Sequence, residues 1–198
     1  MNKMKGLITF CAAAVLILVA GSAQAEMYDF NAIAPGNYDA VTFSNLFQGI
    51  SFNSTVGNNF QVQPVSLGPD FSGKAVINLT ELSSPPSNST VATFDVLSTF
   101  FSVTMGDYNY DIDELFLYAY DAGNNVVDSD FHYNPASSYA GHTLSVAGNI
   151  AWVKYGVEGD YNTFYWDNVA FTPIPIPAAV LLGMLGLGVA GMKLRKSS

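Results

Sequence analysis

From Glu26 to Thr172 the chain nowhere sustains apolar recurrence at helical spacing. Its apolar residues fall instead in short segments with a period of two, or apolar on both faces, which is what strands require. Val91 to Val96 alternates, Leu115 to Tyr120 is aromatic and aliphatic throughout, and Ile150 to Tyr155 continues the theme. Further strands are predicted near Val41 to Phe43, Ile50 to Phe52, Asn59 to Val65, Lys74 to Leu79, Phe100 to Met105, Val126 to Ser129, Thr143 to Ala147 and Thr163 to Phe171. Turn residues separate them at Gly57 to Asn59, Gly68 to Asp70, Ser83 to Ser89, Asp121 to Asn125 and Glu158 to Asp160. About ten short strands in one domain predict an all-β, antiparallel two-sheet sandwich.

Two apolar segments flank this domain. Lys3 and Lys5 precede the run from Leu7 to Ala20, and Ala23, Gln24 and Ala25 place small residues where a signal peptidase reads them, so cleavage before Glu26 is expected. The sole cysteine, Cys11, lies in this leader, so the mature chain is expected to fold without disulfides. At the other end, Pro173, Pro175 and Pro177 lead into an uncharged stretch from Ala178 to Met192, closed by Lys193, Arg195 and Lys196. A helix from Pro177 to Leu194 would be roughly 27 Å long, just enough to span a bilayer core of about 30 Å. Its basic end acts as the stop-transfer signal and stays cytoplasmic by the positive-inside rule. Residues 1–25 are therefore expected to be a signal peptide, 26–172 a domain and 173–198 a membrane-directed tail, either a plain anchor or a processed signal.

Charge narrows the partners. All 16 acidic residues fall in 26–172, with only Lys74 and Lys154 of the seven basic ones, a formal charge of −14. Such a surface repels nucleic acid and anionic lipid, because phosphate binding needs clustered Lys and Arg.

The tail from Ile174 to Leu182, with its glycine-rich continuation and basic end, resembles the PEP-CTERM class of bacterial sorting signals, in the variant reading Val-Pro-Leu-Pro-Ala. Ile174 and Ile176 replace the Val and Leu, and Pro175, Ile176, Pro177 and Ala178 form the sorting motif. The resemblance implies recognition by an exosortase-like peptidase, following signal peptidase at the other end. Gly49 to Phe52, Ala119 to Asn124 and Tyr165 to Phe171 are similar to the early strand, central hairpin and closing strand of jelly-roll modules related to carbohydrate-binding domains. That resemblance implies a jelly-roll-like sandwich.

Two clusters could carry chemistry. Asp107, Asn109, Asp111 and Asp113 occupy every second position, so an extended backbone would gather three carboxylates and an amide on one face, a donor set suited to Ca²⁺. A hydrated polar loop explains the same residues. The EF-hand pattern is absent, since Ile112 stands at the sixth position and Tyr118 at the twelfth. Among the aromatics near the C-terminal strands, Trp152, Tyr161 and Trp166 could stack on sugar rings. Core packing is the competing role, with Trp152 expected on the same face as Ile150 and Trp166 with Phe164. His132 and His142 are expected in loops, and no nucleophile elbow, metalloprotease helix or thiol appears in the mature segment. The sequon asparagines Asn53, Asn78 and Asn88 are expected on the surface.

The sequence thus predicts a non-enzymatic protein, exported to the envelope or extracellular matrix, held by its tail helix until a peptidase releases it, with a structural or adhesive role. The alternatives are a calcium-assisted module that binds polysaccharide and an anchored periplasmic hydrolase.

Overall fold

The computed structural model describes residues 24–55, 57, 59–66, 72–79, 87–107, 113–134, 141–158 and 164–175. Ala25–Pro173 forms one compact unit. Among the described residues ten strands build it: β1 (Glu26–Tyr28), β2 (Gly36–Asp39), β3 (Ile50–Ser54), β4 (Asn59–Ser66), β5 (Ser72–Leu79), β6 (Ser87–Asp107), β7 (Asp113–Tyr120), β8 (Val126–Asn134), β9 (His142–Glu158) and β10 (Phe164–Pro173). A 3-10 turn (Phe30–Ala32) follows β1, and one short helix, α1 (Ala40–Ser44), follows β2.

Every strand pairing is antiparallel, in the order β2-β4-β5-β10-β6-β9-β7-β8, with β1 added beside β10 and β3 beside β6. The all-β expectation is met. Hydrogen bonding nevertheless joins the strands into one sheet instead of two separate ones. The cause lies in β6 and β9, which each merge two predicted strands. The first part of β6 pairs with β3 and the last part of β9, whereas its second part pairs with β10 and the first part of β9. Register shifts between Thr93 and Ser98 and between Ser98 and Phe100 bend the ribbon where it changes partners, as bulges do.

The predicted strand at Val41 to Phe43 is a helix. Asp39 caps it, its Oδ1 accepting from the Thr42 amide at 2.9 Å and its Oδ2 from the Thr42 hydroxyl at 2.7 Å, which outweighs the β-branched character of Val41 and Thr42. The predicted loop at Ser83 to Ser89 ends early, because Ser87 to Ser89 already pair with β9.

The core is strongly aromatic. Trp166, on β10, is fully buried with Phe30, Phe52, Phe43 and Tyr155 around it, ring centroids 5.1 to 5.9 Å away. Its Nε1 donates to Asn78 Oδ1 at 3.1 Å, so the indole is buried without an orphaned N–H. The Thr90 hydroxyl donates to the same oxygen at 3.0 Å, and Asn78 Nδ2 donates to Asn88 Oδ1 and the Ser89 carbonyl, each at 3.0 Å. Asn78 and Asn88 are therefore interior residues, correcting the expectation that their sequons lie on the surface; Asn53 is exposed. Tyr155 lies wholly inside, and burial raises its phenol well above its ordinary pKa.

Candidate functional site

Residues directly opposite in an antiparallel pair project to the same face of a sheet. On β7, Leu115, Leu117 and Ala119 point into the core, which leaves Phe116, Tyr118 and Tyr120 on the outer face. On β9, Val153, Tyr155 and Val157 point inward, which leaves Trp152, Lys154 and Gly156 outside. Register then sets Trp152 beside Tyr120, Lys154 beside Tyr118 and Gly156 beside Phe116. From β8, Phe131 stands opposite Phe116 and Tyr133 opposite Glu114.

The outcome is an aromatic surface across β7, β8 and β9. The Trp152 and Tyr120 rings lie face to face, centroids 3.8 Å apart and planes within 5°. Tyr118 meets Phe131 edge-on at 5.2 Å and Phe116 at 5.6 Å. Phe116 is nearly covered, with Lys154 Nζ 5.6 Å above its ring, whereas Phe131 is 45% and Tyr133 60% exposed. Gly156 is required here, because a Cβ would run into the carbonyl oxygen of Asn88 and into Ser89. Burial raises the Tyr120 phenol above its ordinary pKa, with the neighbouring Tyr118 adding to the effect, so it remains a neutral donor at physiological pH.

The β7–β8 turn fixes one edge of this surface. Asp121 Oδ1 accepts from the amides of Gly123 at 2.8 Å and Asn125 at 2.9 Å, and these bonds, led by that of Asn125, lower its pKa. Asn124 adopts φ +63°, a conformation asparagine tolerates, and its Oδ1 accepts from Trp152 Nε1 at 3.0 Å. The expected grouping of Trp152 with Ile150 on the core face is thus corrected. Ile150 and Val153 are both buried, three positions apart, so the alternation changes phase between them and turns Trp152 outward. The phase change coincides with the register shift between Thr93 and Ser98, where four β6 residues stand against Ala151 alone on β9.

Trp166 is a core residue and is removed from the candidate sugar contacts, while Tyr161 lies outside the described residues. Asp107 ends β6 and Asp113 begins β7, and Asn109 and Asp111 lie outside the described residues. Among the described residues no group of three or more His, Cys, Asp and Glu is placed to hold a metal. Ala23 of the signal cleavage site, Ile176, Pro177 and Ala178 of the sorting motif, and the stop-transfer residues Lys193, Arg195 and Lys196 also lie outside them. Ala25 precedes β1, Glu26 opens that strand opposite Phe171, and Pro175 is exposed just past β10. No helix among the described residues is long and apolar enough to cross a membrane. Tyr118, Tyr120, Phe131, Tyr133 and Asn124 were not among the sugar contacts expected from the sequence. The spacing of Phe116, Tyr118 and Tyr120 at every second position, and of Phe131 and Tyr133 likewise, was the signal that could have revealed the aromatic members.

His132 and His142 are strand residues, not loop residues. They stack between β8 and β9 with ring centroids 3.3 Å apart. Beside them, Asp130 Oδ2 accepts from the Ser145 amide at 2.9 Å and Asp128 Oδ2 from the Ala147 amide at 2.8 Å. Side chains of β8 thereby take the place of a backbone ladder along the first part of β9.

No family model and no curated protein sequence matches the chain. Among solved structures, an arabinose-bound GH51 α-L-arabinofuranosidase overlaps 78% of this chain and 27% of its own, at 8% identity and TM-score 0.48. The K2 adhesin domain of Lys-gingipain overlaps 75% and 99%, at 13% identity and TM-score 0.45. A point mutant of the CBM29-2 carbohydrate-binding module overlaps 75% and 92%, at 12% identity and TM-score 0.42. The chain spans about a quarter of the arabinofuranosidase it matches. At such identities and scores none of these proteins passes its ligand or activity to this chain.

Proposed function

We propose that the domain is a non-catalytic glycan-binding module of the envelope or extracellular matrix, folded as a jelly-roll variant whose two faces share β6 and β9. The supporting observation is the aromatic surface built on Trp152 and Tyr120. A sugar ring presents a C–H face that packs on an indole or phenol, while its hydroxyls need donors and acceptors nearby. Tyr118, Tyr120, Lys154 and Glu114 supply those groups on the same face. Strands hold the aromatic groups in place, so little side-chain freedom is lost on binding. Delivery to the outside rests on the leader and on the tail resembling a PEP-CTERM signal, cut by signal peptidase before Glu26 and by an exosortase-like peptidase near Pro175 to Ala178.

The test is retention of residues 26–172 on a panel of insoluble and gel-embedded polysaccharides, with Trp152→Ala alongside. Retention on at least one polysaccharide, abolished by the substitution while the melting temperature stays near that of the parent, is the expected result. A panel that retains neither protein overturns the reading.

A further inference from the structure

We infer that the glycan site does not end at the Trp152–Tyr120 stack but continues across β6 and β3 into a cavity beside α1, forming a groove for an uncharged oligosaccharide of three or more rings. This rests on the glycan-binding reading above.

The argument starts from the stack. Trp152 and Tyr120 are cross-strand partners, so rings lying face to face between β9 and β7 leave the second face of the indole turned toward the next strand, β6. The residue opposite Trp152 on β6 is Thr93, and the residue opposite Thr93 on β3 is Ser51. Both are short, exposed and hydroxylated, so the surface beyond the indole drops to a floor that can donate and accept hydrogen bonds. The neighbouring row is also low, with Val91 on β6 and the exposed amide of Asn53 on β3.

At β3 this floor meets a cavity of about 570 Å³, and Ser51 and Asn53 line both. Its other walls include Asp39, Asn45, Asn59 and Val41, the last 71% exposed. The cavity exists because β3 is an edge strand along which α1 lies: the Ser44 hydroxyl donates to the Phe52 carbonyl at 3.0 Å and accepts from its amide at 2.8 Å. Three amides, two hydroxyls and a carboxylate beside the apolar side chains of Ala40, Val41 and Phe52 suit the alternating C–H and O–H surface of a sugar.

Length and charge define the ligand. Two strand spacings separate Trp152 from Ser51, about 10 Å, and the cavity lies beyond, which calls for about three rings. Asp39 is held in its anionic form by the Thr42 amide first and the Thr42 hydroxyl next, both of which lower its pKa. A fixed carboxylate at the cavity end, in a domain carrying 16 acidic residues against the ammonium of Lys154 at the site, disfavours uronic and sulfated sugars there.

The experiment is isothermal titration of residues 26–172 with neutral gluco-, xylo-, manno- and galacto-oligosaccharides of two to six rings. The parent, Trp152→Ala, Ser51→Trp and Asn53→Ala are compared, each checked for a cooperative melting transition well above the titration temperature. Affinity is expected to rise at least tenfold from two rings to four and then level off. Ser51→Trp and Asn53→Ala should reduce binding of the longer ligands to that of the disaccharide and leave the disaccharide itself unaffected. Binding that depends on Trp152 but not on ligand length, with both β3 variants silent, overturns the groove and leaves the aromatic site standing. Absence of binding by the parent protein overturns both.

Discussion

Trp152 Nε1 donates to Asn124 Oδ1 across 3.0 Å, which ties the principal aromatic group to the one residue of the β7–β8 turn that carries a positive φ. The turn thus orients the indole as well as reversing the chain. Asn124→Gly keeps the backbone conformation and removes the acceptor. It is expected to cost about 0.5–1.5 kcal/mol in urea unfolding. Acrylamide should then quench Trp152 fluorescence more strongly, a change separable from buried Trp166 because the chain has only these two tryptophans.

The two tryptophans should respond oppositely to truncation. Trp166→Ala empties a cavity among Phe30, Phe43, Phe52 and Tyr155 and removes one of the two donors to the Asn78 side-chain oxygen, with an expected loss of about 3–5 kcal/mol. Trp152→Ala removes an outer-face ring and should cost well under half of that while eliminating polysaccharide retention. Chemical denaturation of both variants checks the contrast, and a larger loss at Trp152 would refute it.

Asp167 sets a pH dependence. It is buried on β10, and desolvation raises its pKa from 3.8 to about 6 despite bonds from the amides of Asn168 at 2.7 Å and Phe30 at 3.3 Å, with the charge of Asp29 adding to the rise. Because the folded value exceeds the unfolded one, the contribution of this group to stability is complete below about pH 3.8 and is lost as pH rises through about 6. Asp39 and Asp121 are shifted downward and act in the opposite sense, at lower pH. Between pH 4 and 7 the melting temperature of the parent should therefore fall relative to that of Asp167→Asn, whose profile lacks this component.

Closure of β8 onto β9 depends on carboxylates. Asp128→Ala combined with Asp130→Ala leaves the amides of Ala147 and Ser145 without their acceptors. Hydrogen exchange at these two amides should accelerate at least tenfold, while amides of the β6–β10 pairing remain protected. Uniform acceleration throughout the domain would mean that the acids support the whole fold instead of this seam.

Processing is testable by intact mass in a native host that owns an exosortase. The mature protein should begin at Glu26 and end near Pro177. A retained tail would replace the sorting proposal with permanent anchoring.

The sequence by itself determined that this chain makes strands, where most of them lie and which turns separate them. Alternation in Val91 to Val96 and the turn residues Asp121 to Asn125 act locally, and tertiary structure preserved both. Local pattern also misled locally: Val41 to Phe43 has strand-like composition, but the cap from Asp39, one hydrogen-bonding side chain two positions away, makes it a helix. What only the tertiary structure decided is which aromatic side chains are buried. Trp152 and Trp166 look alike in sequence, yet one is displayed and the other is the centre of the core. A register shift of a few residues, set by how β6 and β9 divide their partners, inverts the face of everything beyond it. That shift arises from pairing between segments some fifty positions apart, and no window of sequence short enough to show periodicity contains it.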